Sequence, residues 1–275
     1  MSERNDYPPG VPCWVDTLQP DPEAATRFYG DLMGWTFEGP GSMPGDPPGR
    51  YFVVRLRGRD VAGVGSQPSE GAPPTMWNTY ISVESADDTA KKVKAAGGRV
   101  VREPFDVLPA GRMAVLADRA GAVFCGWEPR DRQGAQIVTE FGAWAMSSLN
   151  TPDPEGAKAF YGAVFGWKAE PFKMNGGELT LFRVPGYFGG TPEQPVARDV
   201  VAVMMPMKPG GPSGDGPPSW LVAFWVEDAD ATVDRAKKLG GKVVMPPSDI
   251  PRFRQAVVAD PAGAAFVVSQ PKRGG

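Results

Sequence analysis

The 275-residue chain contains no histidine. Histidine is the side chain whose ordinary pKa lies nearest neutrality, and it is the commonest metal ligand. Its absence excludes Ser-His-Asp and Cys-His nucleophile relays. It also excludes His-containing zinc sites and the two-His, one-carboxylate iron triad. Any catalysis must use carboxylates, tyrosine, lysine, cysteine, hydroxyls or a borrowed cofactor.

Other things are scarce. There are two cysteines, Cys13 and Cys125, too few for a disulfide framework in a chain this long. No apolar run approaches the ~20 residues of a membrane helix. The start of the chain, Met1 to Gly10, is polar and Pro-rich, unlike a secretory signal. Charge of neither sign dominates, with 29 basic and 32 acidic residues and a net charge of −3. That balance argues against nucleic acid as the main partner, since phosphate binding needs a basic surface. No Rossmann fingerprint is present. A cytoplasmic protein without membrane or nucleic-acid partner is expected. Glycine (35) and proline (31) are abundant and mark many turns.

What is present is repetition. Pro20-Asp21-Pro22-Glu23, Phe28-Tyr29-Gly30 and Gly34-Trp35 return as Pro152-Asp153-Pro154-Glu155, Phe160-Tyr161-Gly162 and Gly166-Trp167. Gly97-Gly98 reappears as Gly240-Gly241, and Asp118 with Ala120-Gly121-Ala122 as Asp260 with Ala262-Gly263-Ala264. So many matches in one order mean two homologous halves. Domains over 8–130 and 137–272 are expected, joined by the polar stretch Glu128–Gln136.

Each half follows one plan. Val11 to Leu18 reads as a strand. Asp21 is a helix N-cap with Pro22 at the first helical position, and Gly34 ends the helix. Strands are expected at Tyr51–Leu56 and Val61–Val64, then at Asn78–Val83, with a helix over Asp87–Ala96. Arg99–Val101, Met113–Leu116 and Val123–Trp127 complete the half. The order is βαβββ twice per half and four times in the chain, an α+β fold.

The Asp-Pro-Glu helix with Phe-Tyr-Gly and Gly-Trp, the helix ending in Gly-Gly and the Asp-x-x-Gly-Ala turn resemble the vicinal oxygen chelate superfamily. That superfamily includes glyoxalase I, extradiol dioxygenases and bleomycin-resistance proteins. The resemblance covers roughly residues 8–272 and is nearest the tandem glyoxalase-like proteins that accompany aromatic polyketide pathways, anthracycline pathways included. It implies paired βαβββ modules forming curved mixed sheets around cup-like cavities. Metal-using members place ligands on the first strand of each module and on a carboxylate in the last strand. Counting from the repeat motifs puts Trp14, Asn78 and Cys125 there in the first half, and Met146, Leu221 and Val267 in the second. Neither triplet suits a hard divalent ion, which takes several oxygen ligands. No metal and no other cofactor is expected.

Strand residues alternate faces. With Trp14 inward, Asp16 and Leu18 follow it, and Cys13 and Val15 face away. Asn78, Tyr80 and Ser82 share a face, as do Met146, Ser148 and Asn150, and Leu221, Ala223 and Trp225. Aromatic and apolar linings with a few polar points suit a small flat ligand, although tryptophan and methionine on inward faces are as often plain core. Asp16 is singled out as a candidate catalytic group, because a carboxylate in an apolar cavity has a raised pKa and can act as acid or base. Its alternatives are an arginine pairing or an exposed strand edge. Arg112, Arg252 and Arg254 lie on loops leading into the seventh strand of each half, a region from which the family's pockets often draw residues. The alternative is plain solvated charge, and Phe253 between two arginines could form a pocket lip. Cys125 reads as a buried small hydrophobe. The Gly/Pro loops at Gly39–Gly49 and Pro206–Pro218 read as lids or plain connections.

Four functions compete. The first is a binding protein for a hydrophobic, polycyclic aromatic or antibiotic-like molecule, used in sequestration, in resistance or as an accessory to a biosynthetic enzyme. The second is a metal-independent hydroxylase or isomerase using Asp16 or Tyr80. A metal-dependent lyase or dioxygenase and a protein-interaction role complete the set. A monomer or a homodimer is compatible with four modules in one chain.

Overall fold

A computed structural model describes residues 4–44, 48–67, 74–174, 177–189, 195–207 and 216–272. The first half runs β1 (Pro12–Gln19), α1 (Pro22–Met33), β2 (Thr36–Met43), β3 (Gly49–Leu56), β4 (Arg59–Ser66), β5 (Trp77–Ser82), α2 (Ala86–Ala95), β6 (Arg99–Val107), β7 (Gly111–Ala117) and β8 (Val123–Pro129). The second half repeats it: β9 (Trp144–Thr151), α3 (Pro154–Phe165), β10 (Lys168–Met174), β11 (Gly177–Arg183), β12 (Val200–Pro206), β13 (Ser219–Trp225), α4 (Ala229–Lys238), β14 (Lys242–Ile250), β15 (Phe253–Ala259) and β16 (Ala265–Pro271). The four βαβββ modules are those expected from the repeats.

The first-helix signals act as read. The Asp21 carboxylate accepts from the Ala24 N–H at 2.9 Å, and Gly34 closes the helix at φ +72°. Asp153, Gly156 and Gly166 repeat this at 2.9 Å and +71°. Each cap is worth about 1 kcal/mol. One strand departs from the sequence reading. Gly39 to Met43, expected as loop, belongs to β2, an edge strand exposed along nearly its whole length. Its glycines and proline hide it, and proline is tolerated there because an edge strand has N–H groups with no ladder partner. Residues 208–215 of the matching loop in the second half lie outside the described residues.

Each half makes one eight-stranded sheet, in the order β2-β3-β4-β1-β5-β8-β7-β6 and its counterpart β10-β11-β12-β9-β13-β16-β15-β14. The central pair is antiparallel, with Asp16 opposite Asn78 and Trp14 opposite Tyr80, while β1–β4 and β5–β8 are parallel. The two modules of a half thus form one concave face between them, a cup.

The opposite faces of the two sheets meet with the helices between them: β5 lies against β13, α2 against α3 and α1 against α4. The shared motifs fasten this junction. Asp118 turns its own loop by accepting from the N–H groups of Ala120, Gly121 and Ala122, and its other oxygen accepts from the Tyr161 hydroxyl of the second half at 3.1 Å. Asp260 does the same for Tyr29 of the first half at 3.0 Å, with Gln19 donating to it at 2.7 Å. The Trp35 and Trp167 indoles also cross, to the carbonyls of Gly142 and Gly10. The stretch 128–136 packs onto the first half: the Gln136 N–H donates to Asp60 O and the Ala135 N–H to Cys13 O. Both cysteines are buried free thiols, and burial pushes their pKa values well up, so neither is a poised nucleophile.

Candidate functional site

The two cups have the same backbone and opposite contents. Strand register makes the correspondence explicit. Asp16 pairs with Gly63 and Asn78 where Ser148 pairs with Val203 and Leu221. Tyr80 pairs with Trp14 and Cys125 where Ala223 pairs with Met146 and Val267. The positions counted from the motifs are therefore the equivalent ones.

The first cup is filled by its own side chains. Asp16 sits at its centre, 2% exposed. It accepts hydrogen bonds from the Tyr80 hydroxyl at 2.6 Å, the Asn78 amide at 2.9 Å and the Tyr51 hydroxyl at 3.1 Å. The Trp14 indole N–H donates to Tyr51 at 3.0 Å. Neither alternative for Asp16 applies, since its partners are neutral donors and it is buried. Burial raises its pKa, with the three donors acting against that. The hub raises the Tyr51 and Tyr80 pKa values as well, through burial and the adjacent carboxyl. Trp14, Asn78, Tyr80 and Cys125, expected as ligand contacts, belong to this packed cluster.

Tyr51 was not singled out by sequence, and it is the plug. It comes from β3 and lies over Gly63 and Gly65 of β4. A Cβ on Gly63 would stand 1.9 Å from the Tyr51 hydroxyl oxygen. The signal lay in Val61-Ala62-Gly63-Val64-Gly65, where two glycines two apart clear one face of a strand. The second half has Val203 and Met205 there, and Leu179 in the place of Tyr51.

The second cup is open, with a cavity of about 600 Å³. Its floor carries the expected Met146, Ser148 and Asn150 of β9 and Leu221 and Ala223 of β13. Trp144 and Trp225 give it aromatic faces, and Phe253 joins them at one side, its ring 6.4 Å from that of Trp225. Arg252 also lines it.

Arg112 is elsewhere. It binds Asp87 at 2.8 and 3.2 Å and Asp106 at 3.3 Å, and its repeat partner Arg254 binds Asp230 and Asp249 in the same way. The repeated pairing marks a structural clasp of helix to sheet, and it holds the Asp87 and Asp230 carboxyls below their ordinary pKa.

A divalent ion does not fit either cup. The equivalent donor positions hold indole, amide and thiol in one and thioether and hydrocarbon in the other. None of these positions holds a carboxylate; Asp16 beside them already accepts three bonds, and Glu170 at the second cavity is bound to Arg183. Among the described residues no cluster of three or more Cys, Asp or Glu groups is arranged to hold a metal. Nor is any described helix long and apolar enough to cross a membrane.

The family model for the Glyoxalase/Bleomycin resistance protein/Dioxygenase superfamily matches residues 14–125 and 143–268. The protein named "Putative glyoxylase CFP32" of Mycobacterium tuberculosis is 38% identical over 98% of each chain. The anthracycline biosynthesis protein DnrV of Streptomyces peucetius is 34% identical over 98% of this chain and 96% of its own. Among solved structures, the Mn(II)-bound glyoxalase from Novosphingobium aromaticivorans superposes with a TM-score of 0.61 at 17% identity, over 95% of this chain and 82% of that one. The 2,3-dioxygenase LapB of Pseudomonas sp. KL28 gives 0.59 at 13% identity, over 96% and 92%.

Proposed function

The chain belongs to the glyoxalase/bleomycin resistance protein/dioxygenase superfamily, and from that premise we propose that it binds a hydrophobic aromatic small molecule in its second cup, without a metal. The binding serves sequestration or supports a biosynthetic enzyme acting on that molecule. The observation that carries this reading is the contrast between the cups. One is closed by Tyr51 around a satisfied hub, and its twin is an open cavity of about 600 Å³ with aliphatic walls and aromatic faces. That volume lies within the ~300–1,000 Å³ typical of small-molecule pockets. Ser148, Asn150, Gln255 and Ser269 are among the polar groups in its lining that can orient a ligand. Whole-length similarity to proteins of anthracycline biosynthesis supports the biosynthetic setting and an aromatic polyketide as ligand.

The enzymatic reading with Asp16 or Tyr80 as acid or base draws no support from the geometry, because both groups are spent on each other inside the closed cup.

The test is titration with N-phenyl-1-naphthylamine, a neutral dye that fluoresces in apolar sites. Saturable one-to-one binding is expected, and it should vanish in Ala223→Tyr, which places in the open cup the side chain the closed cup carries at Tyr80. Equal binding by both proteins refutes the assignment of the second cup. Native mass spectrometry of the protein from its own cells then identifies the occupant. A stoichiometric metal adduct would overturn the metal-free reading.

A further inference from the structure

The second cup differs from the first in its rim as well as its contents. In the first half β3 and β4 are joined by two residues, Arg57 and Gly58. In the second half β11 and β12 are joined by residues 184–199. The described part of this long connection lines the open cavity, through Tyr187, Gly189 and residues 195–198.

Three arginines line the same cavity and bond to this connection. Arg198 lies in it and donates from Nε to Gly189 O at 3.1 Å. Arg252, in the turn between β14 and β15, donates from Nη1 to Pro195 O at 2.6 Å. Arg4, reaching over from the start of the chain, bonds the Tyr187 hydroxyl and stacks on the Tyr7 and Tyr187 rings at 5.4 and 5.6 Å. Each contact is to a neutral acceptor. Among the described residues none of the three pairs with a carboxylate. By contrast, Arg183, which lines the same cavity, is bound to both Glu170 and Asp199. A guanidinium has five N–H donors, so most of the donors on these three remain available at the rim.

Arg252 is held at a conformational cost. It has φ +66° after Pro251, in the two-residue turn that joins Ile250 to Phe253. A turn of that kind favours glycine or asparagine at this position. The first-half equivalent is Ala110, with no charge. Repeat comparison thus separates two kinds of arginine. Arg112 and Arg254 recur in both halves and clasp carboxylates, whereas Arg198 and Arg252 occur only beside the open cup.

We infer that the second cup selects an acidic ligand, with an apolar ringed body inside the cup and a carboxylate, sulfonate or ionised phenol at the rim facing Arg4, Arg198 and Arg252. This rests on the second cup being the binding site and adds the charge of its occupant. Guanidiniums bind such anions by charge-assisted hydrogen bonds. They also sit beside an apolar cavity, where the field is less screened than in open water.

A matched pair of dyes tests it. 8-Anilino-1-naphthalenesulfonate is N-phenyl-1-naphthylamine carrying one added sulfonate. The wild-type protein should bind the sulfonated dye about tenfold tighter at low salt, with the preference shrinking as salt rises. In the Arg198→Gln/Arg252→Gly double variant the ratio of the two affinities should fall toward one. Arg252→Gly alone should fold at least as stably as the wild type, since glycine relieves the positive φ, so misfolding cannot explain its lost selectivity. If the neutral dye binds as tightly as the anionic one to wild type, or the preference survives in the double variant, the inference is wrong while the cup still binds. If neither dye binds, the cup assignment itself fails and takes this inference with it.

Discussion

Replacing Tyr161 by phenylalanine removes one oxygen at the junction of the halves and leaves the ring in place. That hydroxyl donates to Asp118 at 3.1 Å and accepts from the Trp220 indole N–H at 3.1 Å. The ring itself is fully buried among Phe124, Trp167, Phe182 and Trp220. The site is buried, so the Trp220 N–H is left without an acceptor. An orphaned buried donor costs ~1–3 kcal/mol, and the lost bond to Asp118 adds about 1 kcal/mol. The expected destabilisation is therefore about 2–4 kcal/mol. Asp118 keeps its three backbone donors on the other oxygen, so its loop should persist.

Tyr29→Phe is the internal control. It orphans Trp77 in the same way, but the Asp260 oxygen it leaves still accepts from Gln19 at 2.7 Å. Its cost should be smaller by about 1 kcal/mol. The two sites share no partner, so the double variant should be additive within about 0.5 kcal/mol. Guanidinium unfolding followed by tryptophan fluorescence and circular dichroism measures both, as midpoint shifts at constant slope. A Tyr161→Phe cost below about 0.5 kcal/mol, or a larger cost for Tyr29→Phe, would refute the claim that these repeated motifs hold the halves together through satisfied polar contacts.

Other predictions concern the closed cup and the metal question. Burial raises the Asp16 pKa, so the folded state holds that proton more tightly than the unfolded chain does. Its contribution to stability is then complete below the ordinary carboxylate pKa, about 4, and declines as pH rises through the folded-state value. Asp16→Asn abolishes the decline, and the Asn78 amide can turn to supply the acceptor the new amide needs. The variant should gain on wild type between acidic and neutral pH, and a widening loss over that range would contradict this. Gly63→Ala drives a Cβ into the Tyr51 hydroxyl and should cost about 1–3 kcal/mol by overpacking. The cost should largely disappear in a Tyr51→Ala background, which a double-mutant cycle measures. Treatment with a strong chelator should leave dye binding in the second cup unchanged, and elemental analysis of the purified protein should find no stoichiometric manganese, iron or zinc.

Periodicity, caps and repeats made most of the fold legible. Asp21 with Pro22 and Gly34 specify a helix start and stop through backbone chemistry that operates within a few residues, and the copy at 153–166 doubles the signal. Inward faces followed from strand alternation, which is why Met146, Ser148, Asn150 and Leu221 were found together at one cavity. β2 escaped because an exposed edge strand rich in glycine and proline has no buried face to set a period. Arg112 misled for a different reason: a charged residue near a strand end reads the same whether its carboxylate partners lie beside it or not, and only packing brought Asp87 and Asp106 within reach.

By itself the sequence determined the number of modules, their order, the absence of histidine chemistry and the inward faces of the central strands β1, β5, β9 and β13. Those properties are local, or repeat at fixed spacing, so one dimension suffices to read them. Only the tertiary structure decided which cup is open. That outcome depends on Tyr51 of β3 lying over Gly63 and Gly65 of β4 and reaching Asp16, and on Tyr187 and Pro195 settling beside Arg4 and Arg252. The Tyr51–Asp16 bond and the Arg4 and Arg252 contacts join separate elements of the chain, and whether a cavity is filled or empty is a property of volumes meeting in space.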